Sequence, residues 1–475
     1  MLVTLRNYQS EAVDKIKAAY HQGYKAPLLA LSTGSGKTII FCNITERTAI
    51  KGNTVCILVH RQELLRQTSD HLTLLGVSHG LIAPGHSMTG DPIQIASVQT
   101  LARRLHRMKA PALIIIDECH HTPAGTWKKI LSTWSSSRIL GVTATPIRLD
   151  GKGLGMGAGG FFDTLIQGPD TRWLIDNNFL SQPLVYAPPT NVDLKGIRTQ
   201  CGDYEKHELA FRMDKPTITG DAIKHYLRLC PNAPAILFAA SVKHAEHSAE
   251  QFNAAGIPAA SLTGEISDSM RKHRIESLAN GAIKVLTSCE IISEGTDIPV
   301  VTAAILLRPT QSTGMFLQQC GRALRPYPGK TNAIILDHVG NCLRHGLPDD
   351  PRAWELNVGI MPSRGAKKSG PLIKTCQKCY AVYSRFMEAC PQCGYVNEAN
   401  EREIKQVDGE LEQLTSEQLE KMRQRRQQGM VTDLAGLLAV ARQRGYNPAW
   451  AHHVFNGRKA REFKRGLQEQ VRMAI

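Results

Sequence analysis

An apolar run at residues 27–32 leads directly into Thr33-Gly34-Ser35-Gly36-Lys37-Thr38, and a helical pattern follows over residues 38–47. Strand, small-residue turn and helix, in that order, form the setting of a phosphate-binding loop. Small residues let backbone N–H groups close round a β-phosphate, and the helix turns its positive end towards it. Thr33, Gly34, Ser35 and Gly36 would line such a turn, Lys37 would reach the β- and γ-phosphates of a nucleotide, and Thr38 would ligate Mg2+. The full pattern asks for glycine five residues before Gly36, where Leu31 stands. The plain alternative is a chance glycine turn.

A loop of this kind needs an open α/β sheet. Further apolar runs at 54–60, 93–98, 112–117 and 138–144 are separated by polar or amphipathic stretches, which predicts a parallel sheet covered on both faces. The pattern restarts with strand-like runs at 235–240, 259–262, 284–288, 303–308 and 333–338. Helical stretches at 242–255, 267–280 and 311–324 lie between them. Residues 151–160 hold six glycines in ten and read as a flexible loop, either a mobile surface element or a strand-separating device.

The 112–117 run ends in Asp117-Glu118-Cys119-His120. Acids at the C-terminal edge of an open sheet sit where ligands of such sheets bind. Asp117 is expected to hold Mg2+ and Glu118 to polarise an attacking water. His120 and His121 are adjacent and so do not face one metal; His120 is read as a bridge from the nucleotide site to nucleic-acid motifs.

The chain has 475 residues, enough for about three domains. With 42% hydrophobic and 21% charged residues, wholesale disorder is excluded. No run reaches the ~18 apolar residues of a membrane span, and residues 1–10 do not form a secretory h-region. The expectation is a cytoplasmic protein with no membrane partner. Lys and Arg number 57 against 42 Asp and Glu, a net +15, which favours a polyanionic partner, nucleic acid first; a bare solubility charge is the alternative.

Of 12 cysteines, eight are scattered, and several of these lie in apolar runs and read as small core residues. Cys376, Cys379, Cys390 and Cys393 form two C-x-x-C pairs. Four thiolates give closed tetrahedral Zn2+ coordination, which is structural and leaves no open catalytic position. Tyr380, Tyr383, Arg385 and Phe386 lie between the pairs, and stacking on bases or packing a tiny domain are both open.

The loop and the acid pair, in this order, resemble superfamily 2 helicases and translocases. Further runs share the resemblance: Leu5-Arg6-Asn7-Tyr8-Gln9, His60-Arg61-Gln62-Glu63-Leu64, Ser97-Val98-Gln99-Thr100-Leu101, Thr143-Ala144-Thr145-Pro146, residues 288–299 and residues 318–325. The resemblance implies that Arg6 and Gln9 read adenine, and that Arg61, Gln62, Gln99 and Thr100 contact nucleic acid. It places Glu294, Gly295 and Asp297 near the nucleotide and makes Arg322 and Arg325 arginine fingers. A spacing of three puts both guanidinium groups on one helical face. The family's arginine beside the first glutamine is Gln319 here. The run from Leu307 to Asp337, with the cysteine pairs after it, looks nearest to bacterial RadD-type helicases.

The implied fold is α/β: two tandem RecA-like P-loop domains with parallel sheets, at 1–168 and 215–360, joined by a connector at 169–214. A zinc ribbon at 371–400 and a helical, charged, basic tail at 401–475 follow. The implied function is an ATP-dependent DNA helicase or translocase, a DNA-dependent ATP hydrolase acting as a monomer on single-stranded or forked DNA. The Asp-Glu-Cys-His form leans towards DNA. An RNA helicase, and a zinc-containing nucleic-acid binder whose affinity ATP switches without unwinding, are the alternatives. A protein partner for the tail is left open.

Overall fold

The computed structural model describes residues 4–122, 125–148, 153–188, 194, 196–200, 202–289, 298–357, 372–396, 431 and 433–456. The chain divides into two compact units, Met1–Glu398 and Ala399–Ile475.

The first unit holds two parallel sheets. The first sheet uses β1 (Pro27–Ala30), β2 (Val55–Val59), β3 (Gly80–Ile82), β4 (Ile93–Ser97), β5 (Leu113–Asp117), β6 (Arg138–Thr143) and β7 (Thr164–Gln167), in the order β3-β4-β2-β5-β6-β1-β7. β1, β2 and β5 are buried along their whole length, as helices on both faces of a parallel sheet require. The second sheet uses β8 (Gln182–Tyr186), then, past the small β9 (Thr199–Gln200) and β10 (Asp203–Tyr204) pair, β11 (Ala235–Phe238), β12 (Ala259–Leu262), β13 (Val285–Ser288), β14 (Ala303–Leu306) and β15 (Asn332–Asp337). Its order is β12-β13-β11-β14-β15-β8. We call the regions around these sheets the first and second lobes. Two parallel α/β sheets in tandem are the RecA-like pair that the motifs imply.

Two expectations change. Within 169–214, read as a connector, β8 forms the edge of the second sheet, parallel to β15 from Asn332↔Gln182 to Leu336↔Tyr186. Pro183 is tolerated there because an edge strand has one unpaired side. The glycine-rich segment is packed rather than loose where described. Gly155 N–H donates to Leu356 O at 2.8 Å. A Cβ on Gly153 would lie 1.9 Å from the same oxygen, and one on Gly160 1.9 Å from Leu154 O. These glycines permit close backbone approach. The segment they receive comes back from the second lobe: Trp354 and Leu356 pack into a first-lobe core with Leu154 and Phe162, and Arg172 pairs with Asp349.

A hairpin of β16 (Ile373–Thr375) and β17 (Val382–Ser384) carries the cysteine pairs. It adds to the free edge of β8 through an antiparallel Tyr186↔Ala381 bridge, and Ala187 N–H donates to Tyr380 O at 2.9 Å. Tyr383, Cys376 and Cys390 join the second-lobe core. In the second unit, Asp433 caps the helix Leu434–Arg444 and Gly445 ends it in the left-handed region. Leu437, Ala441 and Ala451 form its small core. Residues 401–430 of the tail expected at 401–475 lie outside the described residues.

Candidate functional site

Adjacent strands set the site. The order β4-β2-β5-β6-β1 lines up five strand ends on one edge, so the segments after them become neighbours. The phosphate loop follows β1, the Thr143–Pro146 segment ends β6, Asp117 ends β5, His60 and Arg61 follow β2, and Gln99 follows β4.

Gly34 and Gly36 both take φ of 83°, and Gly36 starts the helix Lys37–Ile50, which carries Thr38 in its first turn. Ser35 O accepts from Tyr8 Oη at 2.7 Å and from Gln9 Nε2 at 3.1 Å. A Cβ on Gly36 would sit 2.5 Å from that amide nitrogen. Gln9 Oε1 also accepts from Arg6 N–H at 2.9 Å. With both amide atoms engaged and the side chain buried, Gln9 braces the loop. Nε2 keeps a second N–H and Oε1 a second lone pair for the base contact expected of Gln9. Arg6 lies 4.9 Å above the Phe179 ring, beside Tyr8 and Trp173. Trp173 and Phe179 come from the stretch read as a connector, where two aromatic residues in polar sequence were the available signal.

Lys37 Nζ donates to Leu31 O at 3.2 Å and Ser32 O at 3.4 Å. Burial pulls its pKa down; the charges of Glu118 and Asp117 oppose this, and Arg322 and Arg325 reinforce it. Asp117 is pushed up to about 7 by burial and by neighbouring Glu118, against the pull of Lys37. Glu118 itself has φ 48° and ψ 52°, a left-handed conformation that costs energy for a residue with a Cβ. Its Oε2 accepts from Thr143 Oγ1 at 3.4 Å and lies 3.4 Å from His120 Nδ1. His120 Nδ1 is 3.0 Å from Thr143 Oγ1. Two ring contacts not evident from the sequence continue from here: His120 packs against His121 in a tilted pair with ring centroids 4.2 Å apart, and His121 against His60 likewise at 4.3 Å.

The second lobe supplies the opposite wall. The helix Thr313–Ala323 is capped by Ser312 and packs against the loop. A Cβ on Gly321 would be 2.6 Å from Thr33 Cβ. The Arg325 stem covers Gly34, where an added Cβ would lie 3.3 Å from Arg325 Cγ. Arg322 is buried in the same helix. Glu294, Gly295 and Asp297 lie outside the described residues.

Of the residues expected from sequence to contact nucleic acid, Gln62 and Gln99 are exposed, Arg61 is half-buried, and Thr100 is turned inward and buried. Arg61 Nε donates to His60 Nε2 at 3.3 Å. The helix Gln62–Leu74 meets the second-lobe helix Asp268–Ala279 through Arg271 to Glu63 and through Arg66 to Asp268 at 3.4 Å.

The four cysteine sulfurs lie within 4.8 Å of one another, with Cys376–Cys393 and Cys379–Cys390 at 3.6 Å. Tetrahedral zinc with bonds of about 2.3 Å separates its sulfurs by about 3.8 Å, so the donor set fits that ion. Burial acts to raise the Cys376 thiol, but backbone N–H groups of Cys379 and Lys378 bring it down to about 7. Of the aromatics between the pairs, Tyr383 is buried, Tyr380 packs on His225 and Arg228, and Phe386 is 75% exposed.

Two tandem RecA-like lobes with a phosphate loop on one wall and paired arginines on the other define the class, a two-lobe nucleotide motor. Residues 2–148 match the family described as "Type III restriction enzyme, res subunit", and residues 220–327 the "Helicase conserved C-terminal domain". A 51.5 kDa protein of a Lactococcus phage is 33% identical over 387 residues, covering 81% of this chain and 82% of that protein. Saccharomyces cerevisiae IRC3, named as an inferred ATP-dependent helicase, is 30% identical over 358 residues, 71% of this chain and 51% of that protein. The chain therefore spans about half the length of that yeast relative. A fragment of a type I restriction enzyme HsdR subunit from Vibrio vulnificus shares the fold, with TM-score 0.57 and 23% identity over 72% of this chain and 66% of that one. The chain belongs to the superfamily 2 helicases.

Proposed function

We propose that the protein is an ATP-dependent DNA translocase or helicase. One observation carries this reading: Arg325 of the second lobe lies over Gly34 of the first lobe's phosphate loop. A triphosphate held by that loop would be touched by both lobes, so hydrolysis and lobe movement are linked. Relatives add support, since a DNA 3'-5' translocase, XPB2 of Sulfurisphaera tokodaii, is 25% identical over 367 residues.

In this reading Lys37 exchanges its bonds with Leu31 O and Ser32 O for the β- and γ-phosphates. Gly34, Ser35 and Gly36 offer backbone N–H groups. Arg6, Phe179 and Trp173 receive the base. Asp117 and Thr38 are the side chains that would hold Mg2+. A carboxylate raised by burial and a neighbouring acid is a group that a cation would relieve. Bound there, Mg2+ supplies charge neutralisation at the phosphates. Glu118, tied to Thr143 and His120, orients the attacking water. Arg322 and Arg325 stabilise the charge that builds on the transferring phosphoryl group. Arg61, Gln62 and Gln99 face the nucleic acid. The four cysteines hold structural Zn2+, and the resulting knot braces the β8 edge of the second lobe.

ATP turnover measured with single-stranded DNA, duplex, forked DNA and RNA tests this. DNA should raise turnover, and strand displacement should need ATP. Stimulation by RNA alone, or ATP-dependent binding without displacement or movement, would replace the proposal with an RNA helicase or an affinity switch.

A further inference from the structure

We infer that His121 and His60 are positioning residues that transmit nucleic-acid occupancy at Arg61 to the water-orienting carboxylate of Glu118. The inference rests on the proposed function and deepens it.

The path is continuous and short. Arg61 Nε donates to His60 Nε2 at 3.3 Å. The His60 and His121 rings are 4.3 Å apart at 50°, and those of His121 and His120 4.2 Å apart at 40°. His120 Nδ1 lies 3.4 Å from Glu118 Oε2 and 3.0 Å from Thr143 Oγ1. Three side chains, His60, His121 and His120, thus link Arg61 to the catalytic acid Glu118.

The fold explains why the rings meet. β2 and β5 are hydrogen-bonded neighbours, in register from Val55↔Leu113 to Leu58↔Ile116. Extending that register beyond both strand ends sets His60 beside the Asp117–His121 turn. Backbone pairing fixes the strands, so the freedom at this edge belongs to side chains and the turn. Rings packed at about 4 Å do not rotate independently in a close-packed setting. A shift of His60 displaces His121, and His121 displaces His120. The turn is also strained at Glu118, with φ 48°, so a small displacement acts on a conformation that its surroundings must hold in place.

The chemistry at the outer end supplies the trigger. A phosphate engaging the Arg61 guanidinium competes for the donor now shared with His60. Loss or rotation of that bond releases the outer ring, and the three packed rings then resettle against Glu118 and Thr143. In this scheme His120 touches the catalytic acid, whereas His121 and His60 act only through it.

The test uses the full chain with Mg2+, Zn2+ and a single-stranded oligonucleotide. ATP turnover is measured with and without DNA, and DNA affinity is measured without nucleotide. For His121→Ala we expect DNA stimulation of kcat to fall about tenfold, in the range of ordinary coupling between sites. The KM for ATP, DNA-free turnover and DNA affinity should move less than about twofold. His121→Phe, which restores a flat ring, should recover most of the stimulation. His60→Ala should reproduce the loss, and the double variant should lose no more than either single one. Retained stimulation in His121→Ala, a proportional loss of DNA-free turnover, no recovery in His121→Phe, or additive losses in the double variant would each overturn the inference. If the wild type shows turnover but no DNA stimulation, the proposed function fails first, and that result is distinguishable because it appears before any substitution is made.

Discussion

The chain contains two Gly-Lys-Thr triplets, Gly36-Lys37-Thr38 and Gly329-Lys330-Thr331, and they do unlike work. The first follows a strand and opens a helix, so its lysine points into the space above a sheet edge. The second precedes β15, so its lysine has no phosphate cradle. Lys330 is instead half-buried and donates to Val301 O and Arg325 O, each at 2.7 Å, and to Ala323 O. It fastens the end of the helix Thr313–Ala323, which carries Arg322, to the bend after it, which carries Arg325, so the two arginines do not share one helical face as their spacing suggested. The glycines differ in the same way. Gly36 has Gln9 at 2.5 Å from an added Cβ, whereas Gly329 has nothing within 4 Å, although both have positive φ. A three-residue pattern carries meaning through what precedes and follows it.

Breaking this contrast should give a graded series. The largest effect is expected from Lys37→Ala, which should reduce DNA-stimulated ATP turnover by about a thousandfold or more while leaving DNA binding mostly intact. Unchanged turnover would place the phosphate elsewhere. Lys330→Met should be milder, with kcat falling by roughly tenfold through loosened arginines and the KM for ATP nearly constant. A fall as deep as that of Lys37→Ala would mean the second lysine also meets the phosphates.

Glycine substitutions sharpen the comparison. Gly36→Ala should abolish most turnover, because it adds a clash to left-handed strain. Gly329→Ala should cost only that strain, roughly 1–2 kcal/mol of stability, with turnover near normal. Equal losses at the two positions would contradict the packing described.

The smallest effect is one of pH. Burial, reinforced by Arg325, lowers Lys330 from 10.5 to about 8. Between those values the unfolded state binds more protons than the folded one, so this group's contribution to stability rises with pH across about 8 to 10.5. Wild type should therefore gain Tm relative to Lys330→Met over that window. A gap that narrows as pH rises would reverse the assignment.

Much of the site was readable because its segments follow apolar runs that are complete strands in themselves. Residues 112–117 and 138–144 predict β5 and β6 to within a residue, and Asp117 and Thr143 fall at their ends. β8 was not readable in this way. Its five residues pair with β15, about 150 positions later, and nothing local marks them as belonging to the second sheet. The glycine-rich segment misled because glycine serves both flexibility and close approach, and only the partner at Leu356 distinguishes them. The His60–His121 contact was hidden for the same reason as β8. It depends on which strands are neighbours, and one sequence does not state that.

If two lobes meet at one triphosphate, Arg325→Ala exposes it most directly. With ATP affinity and single-turnover hydrolysis measured on DNA-bound protein, the hydrolysis rate should drop by about 10³ while ATP binding persists. Hydrolysis within a factor of about two of wild type, at equal ATP occupancy, would show that the second lobe takes no part in the chemistry.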